Sequence, residues 1–259
     1  MRVALKFGYD GSRFWGYQRQ PDVRTVEGDI IKAIRKTRMV QNLKESKFSS
    51  ASRTDRKVSA IGNVLAFDTD FRSSEILRAL NSKLEDIYFW GIAEVEDDFV
   101  PRHANQRWYR YHLPRDMDID LLKEASALFE GKHDFKRFCR KSERSTVRNI
   151  DSITVKRGRS FIHFDISAQS FLWNMVRRIV SAVVKYADGE IPKKTVKDAL
   201  AGKGRDLGLV PPQPLFLMDV SYDFEFNVPR STAPPHFFEK LNHVKVQKEL
   251  HEGLQKRID

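Results

Sequence analysis

The chain has 259 residues, 41% of them hydrophobic, which is enough apolar material for one large core or two of ordinary size. Lys and Arg outnumber Asp and Glu by 46 to 35, and the resulting charge of +11 points to a polyanionic partner. A single cysteine excludes an internal disulfide, no CxxC pair or HExxH helix has metal-ligand spacing, no apolar run approaches a membrane span, and MRVALKF lacks a signal peptide's apolar core; a reducing, cytoplasmic setting and metal-free chemistry are expected.

Taken in chain order, residues 3–9 alternate apolar and polar side chains at the period of a half-buried strand, and Asp10-Gly11-Ser12 turns the chain. The following FWGYQRQP packs aromatics among Gln and Arg. Those rings either stack on nucleobases or lie under the sheet. Thr25 caps a helix with acids early (Glu27, Asp29), cations late (Lys36, Arg38) and Val26, Ile30, Ala33 and Ile34 as its buried stripe. A short strand over 47–51, a strand over 62–68, a helix over 73–84 and a central strand over 87–95 complete a β-α-β-β-α-β order, the ferredoxin-like arrangement.

A basic connection leads into RWYRYHL at 107–113, a strand with Trp108 and Arg110 on one face and Tyr109 and Tyr111 on the other. Next come an amphipathic helix over 118–131 and a charge-rich excursion over 133–148, read either as a solvated loop or as a segment facing RNA. Strands over 149–155 and 161–168 turn at Arg157-Gly158, followed by a long helix over 171–186, a short one over 195–201 and a last strand over 215–224. The second half thus repeats the plan of the first. The expected fold is α+β, with ferredoxin-like halves at 1–103 and 104–259 whose mainly antiparallel sheets meet at a basic central cleft. The tail from Pro234 reads as a helix packed on the body.

One stretch, SSASRTDRKVSAIGNVLAF at 49–67, sets Asp55 among Arg53, Arg56 and Lys57 just before a strand. This is either a solvated loop whose acid is neutralised by its neighbours, or an ionised carboxylate that the same cations seat against a phosphate backbone, poised as nucleophile or base. On the wheel of the long helix Arg177 and Arg178 lie off opposite edges of the apolar arc, and Arg177 is the partner chosen for Asp55. The seven histidines form no evident Ser/His/Asp order, and GxGxxG and GxxxxGK[ST] are absent.

Together these segments resemble the tRNA pseudouridine synthase A family. The carrying motifs are YDGSRFWGYQRQP with RTVEGDI, SRTDRKVSAIGNVLAF, FVPRHANQRWYRYHL, SFLWNMVRRIV and PLFLMDVSY, in the family's order from residue 9 to 222. The resemblance implies isomerisation of uridine to pseudouridine in the anticodon arm of tRNA, at tRNA positions 38–40, by a homodimer without cofactor or metal. It places the catalytic Asp on Asp55, the active-site Tyr on Tyr109 and its Arg on Arg177. Expected RNA contacts are Arg53, Thr54, Arg56, Lys57, Arg102, Arg107 and Arg178. Local departures are Ser52 for the family's usual Gly, Arg56-Lys57-Val58-Ser59 for Ala-Gly-Val-His, and Asn63 for Gln. Two rivals remain open: an RNA-binding sheet using Trp108, Tyr109 and Tyr111 without chemistry, and a metal-dependent nuclease, for which no second and third acid stands near Asp55 in the sequence.

Overall fold

The computed structural model describes residues 1–140 and 145–229. The elements are β1 (Arg2–Tyr9), α1 (Val26–Lys36), β2 (Ser49–Ser50), β3 (Ser59–Asp68), α2 (Ser73–Asn81), β4 (Ile87–Val95), β5 (Gln106–Leu113), α3 (Ile119–Ala127), β6 (Gly131–Asp134), β7 (Val147–Ile150), β8 (Ser152–Arg157), β9 (Ile162–Ala168), α4 (Met175–Ala187), α5 (Lys193–Leu200) and β10 (Leu215–Ser221). The fold is mixed α/β around one large, mostly antiparallel sheet. Among the described residues no helix is long and apolar enough to cross a membrane.

The sheet runs β4-β1-β3-β10-β5-β9-β8, with β2 also on β3. In the first half β1 lies between β3 and β4, and in the second β5 lies between β9 and β10, all antiparallel. The strands of the two halves form one continuous sheet. They join edge to edge through a parallel pairing, Phe216↔Ser59 and Leu217↔Ala60. The strand read from sequence as 62–68 starts earlier, at Ser59, and these extra residues make the join.

Alternation sets the layers as expected for β5, whose Arg107, Tyr109, Tyr111 and Leu113 are sunk in the core while Trp108, Arg110 and His112 are half-buried on the other face. Burial of Ile162, Phe164, Ile166 and Ala168 on β9 and of Met175, Ile179, Val180 and Val183 on α4 builds the same apolar layer. Thr25 caps α1 by accepting from the Gly28 amide at 3.2 Å.

Several boundaries move. The 133–148 excursion contains a two-stranded ribbon, Gly131↔Ile150 to Asp134↔Val147, and the strand drawn over 149–155 splits between β7 and β8 at Asp151. The long helix begins at Met175 rather than 171, because Asn174 takes a left-handed conformation (φ 66°) that ends the preceding turn. The helix drawn from Pro234 lies outside the described residues.

Two charged groups cross the join. On the face opposite the aromatic core, Lys6 of β1 reaches Asp219 of β10 at 2.5 Å. Gly62 sits against this crossing; a Cβ there would meet the Met218 carbonyl oxygen at 2.8 Å and the Asp219 Cα at 3.1 Å. Backbone cannot swing away as a side chain does. Gly62→Ala is therefore expected to lower the unfolding free energy by about 1–3 kcal/mol, read as a lower midpoint in urea titration, and an unchanged midpoint would refute this account of the join.

Candidate active site

Asp55 lies in the connection from β2 to β3, a segment tied down on nearly every side. The Ala51 amide donates to the Val64 carbonyl at 2.8 Å, the Tyr17 amide to the Thr54 carbonyl at 3.1 Å, and the Val58 amide to the Asp55 carbonyl at 3.1 Å. Thr54 shares a buried hydrogen bond of 2.8 Å with the Tyr9 hydroxyl. Asn63 donates its side-chain amide to the Ser52 carbonyl at 3.0 Å. Gly16 lies against the backbone of Thr54–Arg56 and brings the N-terminal aromatic loop there with φ 114°, a conformation that L side chains rarely adopt.

The carboxylate of Asp55 is held at both oxygens. Oδ2 is 3.2 Å from Nη1 of Arg177, and Oδ1 accepts from the indole Nε1 of Trp173 at 2.7 Å. Arg177 is itself aimed by its Nε, which donates to the Val210 carbonyl at 2.8 Å. Asp55 and Arg177 are 122 positions apart in sequence. The pair is only partly exposed, so solvent screens it less than an ion pair on the open surface.

Tyr109 approaches from β5. Its strand register aligns it with Leu217 of β10, which aligns in turn with Ala60 of β3, so one row across three strands connects the phenol to the start of the strand behind Asp55. At ~4.8 Å per strand this spans roughly 10 Å. The ring is 8% exposed and meets Phe171 edge-on at 5.2 Å between centroids. Burial pushes the phenol up to about 12; the positive Arg107 and a hydrogen bond from Ser52 pull it down, while the negative Asp55 pushes it further up.

Arg107 is 7% exposed, and its donors stay inside the protein. Nε donates to Ser52 Oγ at 3.0 Å, Nη2 to the carbonyls of Ala51 and Arg102 at 3.0 Å each, and Nη1 to the Gln169 carbonyl. It clamps the Asp55 loop to the strand bearing Tyr109, and burial lowers its pKa. Expected as an RNA contact, it has its guanidinium turned inward because four acceptors converge on it there. Thr54 is likewise buried. Arg178 turns from Asp55 to Asp206 at 2.5 Å. Arg53, Arg56 and Arg102 are exposed, and Lys57 is half-buried in a left-handed conformation (φ 69°).

Two residues at the site escaped the sequence reading. Trp173, expected inside the helix over 171–186, precedes it; the sequence signal is Asn174, a residue that tolerates the left-handed conformation and frees Trp173 from the helical ladder. Ser52, a departure from the family's usual Gly, places a hydroxyl that accepts from Arg107 Nε at 3.0 Å. On the other side of the sheet Trp108 and Arg110 both bond Asp165, at 2.7–2.9 Å, and Tyr111 is buried, so the strand offers no row of exposed rings for single-stranded RNA. Among the described residues no group of three or more His, Cys, Asp or Glu gathers as metal ligands.

A synthase named tRNA pseudouridine synthase A from Pyrococcus furiosus is 43% identical over 256 residues, covering 96% of this chain and 95% of its own length. The chain belongs to the tRNA pseudouridine synthase family. The family's sequence profile matches residues 125–223, the stretch from the end of α3 through β10. Relatives of the same name from Pyrococcus abyssi and Methanosarcina mazei are 45% and 41% identical, covering 86% and 88% of this chain and 85% and 87% of their own lengths.

The raised phenol of Tyr109 has a consequence for stability. Above pH 10 an unfolded tyrosine releases its proton, whereas the folded one keeps it until about pH 12, so the contribution is complete below pH 10 and is lost across that window. Folding stability is expected to fall with a slope of about 1.4 kcal/mol per pH unit from this residue. Denaturant titrations from pH 9.5 to 11.5 should show a shallower fall in Tyr109→Phe than in the parent chain; equal slopes would contradict the buried, protonated phenol.

Proposed function

We propose that this chain isomerises uridines in the anticodon arm of tRNA with Asp55 as the reacting carboxylate, Arg177 as the group that orients it and Tyr109 as the ring against which the target base lies. The observation that carries the reading is the 3.2 Å pairing of Asp55 with Arg177, made by segments from opposite halves of a family member's chain, with Tyr109 in a strand row that runs through Leu217 to Ala60, five residues after Asp55. The reaction breaks the bond from the sugar C1′ to N1, turns the detached uracil and joins C1′ to C5. The proton leaving C5 is balanced by one gained at N1, so no oxidant, reductant or co-substrate is consumed.

Two routes use the same carboxylate: attack on the sugar, or removal of the C2′ proton. Either requires an oxygen aimed at one place. Ionic contact on one oxygen and the indole N–H on the other supply that aim, because each bond removes a rotation of the carboxylate. Tyr109 keeps its proton through neutral pH, which supports a stacking and hydrogen-bonding role over that of a base.

In this proposal Arg53, Arg56, Lys57 and Arg102 meet phosphates, while Arg107, Thr54 and Arg178 shape the protein beneath them. Halves at 1–103 and 104–259, each ferredoxin-like in strand order, are taken to present Asp55 on a basic surface beside their edge-to-edge join. Homodimeric assembly and a cytoplasmic location accompany the reading, as the family resemblance suggests.

A uridine-labelled tRNA transcript incubated with the protein in EDTA is expected to yield pseudouridine on digestion, at anticodon-arm positions. Asp55→Asn should reduce product to background while the Kd for the transcript stays within about threefold, since the change removes a charge and keeps the shape. Parallel loss of binding and turnover would assign Asp55 a structural role; tRNA binding without product from the unaltered chain would leave only an RNA-binding module.

A further inference from the structure

Two large aromatic rings stand at the edge of this site without being buried by the core. Trp15 is 51% exposed and Trp173 is 54% exposed. Exposed indoles of this size are costly to present to water and good at one thing, stacking on an unpaired base.

Neither ring dangles. The Trp15 amide donates to the Arg24 carbonyl at 2.9 Å, the neighbouring Gly16 lies against the backbone of Thr54–Arg56, and the Arg56 guanidinium lies 3.3 Å from the indole centroid. Trp173 is fixed by its N–H on Asp55 at 2.7 Å and by its carbonyl, which accepts from the Arg140 amide at 3.0 Å. The Arg140 guanidinium lies 4.1 Å from its centroid.

The two arrangements match although they come from distant parts of the chain. In each, an exposed indole carries an exposed arginine, and each touches the loop of Asp55: one through Arg56, the residue after Asp55, and the other at Asp55 itself. An RNA strand that delivers one base to Asp55 must unstack it from both neighbours, which leaves two base faces without partners. An indole restores stacking to such a face whatever the base, and an arginine beside it answers the adjoining phosphate.

We propose that Trp15 and Trp173 are stacking positions for the unpaired bases adjoining the uridine that enters the Asp55 site, with Arg56 and Arg140 meeting the phosphates beside them; this rests on Asp55 being the reacting carboxylate. Trp173 has a second duty. Its N–H positions Asp55, so ring and N–H are separable by substitution.

The test uses the full chain and an unmodified tRNA transcript. Transcript should quench indole fluorescence of the parent chain, and the quench should largely vanish in the doubly substituted W15F/W173F protein, which leaves Trp90 and Trp108 in place. Trp15→Ala and Trp173→Ala should each raise Kd roughly tenfold or more, and the Phe variants should recover most of that loss. The slope of log Kd against log salt should stay unchanged in the tryptophan variants and flatten by about one in Arg56→Met and in Arg140→Met. Trp173→Phe should lower kcat with little change in Kd, which separates the N–H from the ring. Wild-type affinity in both folded Ala variants, or an undiminished quench in the Phe double variant, would overturn the proposal. If the Ala variants fail to fold, the quench decides alone. Absence of pseudouridine from the parent chain would instead remove the function assigned to Asp55, and the binding and fluorescence arms would still show whether the rings stack on RNA.

Discussion

Two residue pairs of parallel strand hold the site together. Where Ser59 and Ala60 meet Phe216 and Leu217, the last strand of the chain is inserted beside a strand of the first half, and β10 also pairs along β5. Asp55 lies four residues before Ser59, and Tyr109 lies opposite Leu217. The join therefore fixes both at once. Main-chain pairing suits this task because it is set by spacing and register rather than by side-chain rotamers, so the carboxylate loop and the phenol strand are placed before any side chain is aimed. The close approach of Gly62 to β10 is the steric side of the same constraint.

On that frame the positive charge divides into two classes of work. Arg107, Arg177 and Arg178 are turned inward, to carbonyls and Ser52, to Asp55, and to Asp206. Arg53, Arg56, Arg102 and Arg140 keep their heads at the surface. A guanidinium suits both roles because its planar fork meets several acceptors when buried and stays charged when exposed. Net charge therefore identifies the kind of partner without identifying the residues that meet it. Arg107, in a basic run of the sequence, is a clamp between the Asp55 loop and the core.

The strand and helix order was legible in the sequence because binary pattern and capping are local. Alternation separated Tyr109 and Tyr111 from Trp108 and Arg110 on β5, and Thr25 with its early acids gave the start of α1. Boundaries went astray where the backbone departs from regular geometry. Asn174 starts α4 late, and the ribbon of β6 and β7 arises inside a segment whose charges mask any pattern. Asp55 was legible as a candidate because it stands alone among cations in a motif, and its pairing with Arg177, chosen at a helix edge, is present at 3.2 Å.

The sequence by itself determined the succession of strands and helices, the polyanionic partner and the acid worth testing, because hydrophobic period, charge and motif are properties of neighbouring residues. Only the tertiary structure decided that the halves share one sheet, that Arg107 is spent internally and that Trp173 grips Asp55 from the oxygen opposite Arg177. Those facts depend on residues far apart in the chain coming together, Ser59 with Phe216 across the strand pairing and Asp55 with Arg177, 122 positions apart, within hydrogen-bond distance. Such meetings follow from how the strands pair and how the loops close, which no local pattern encodes.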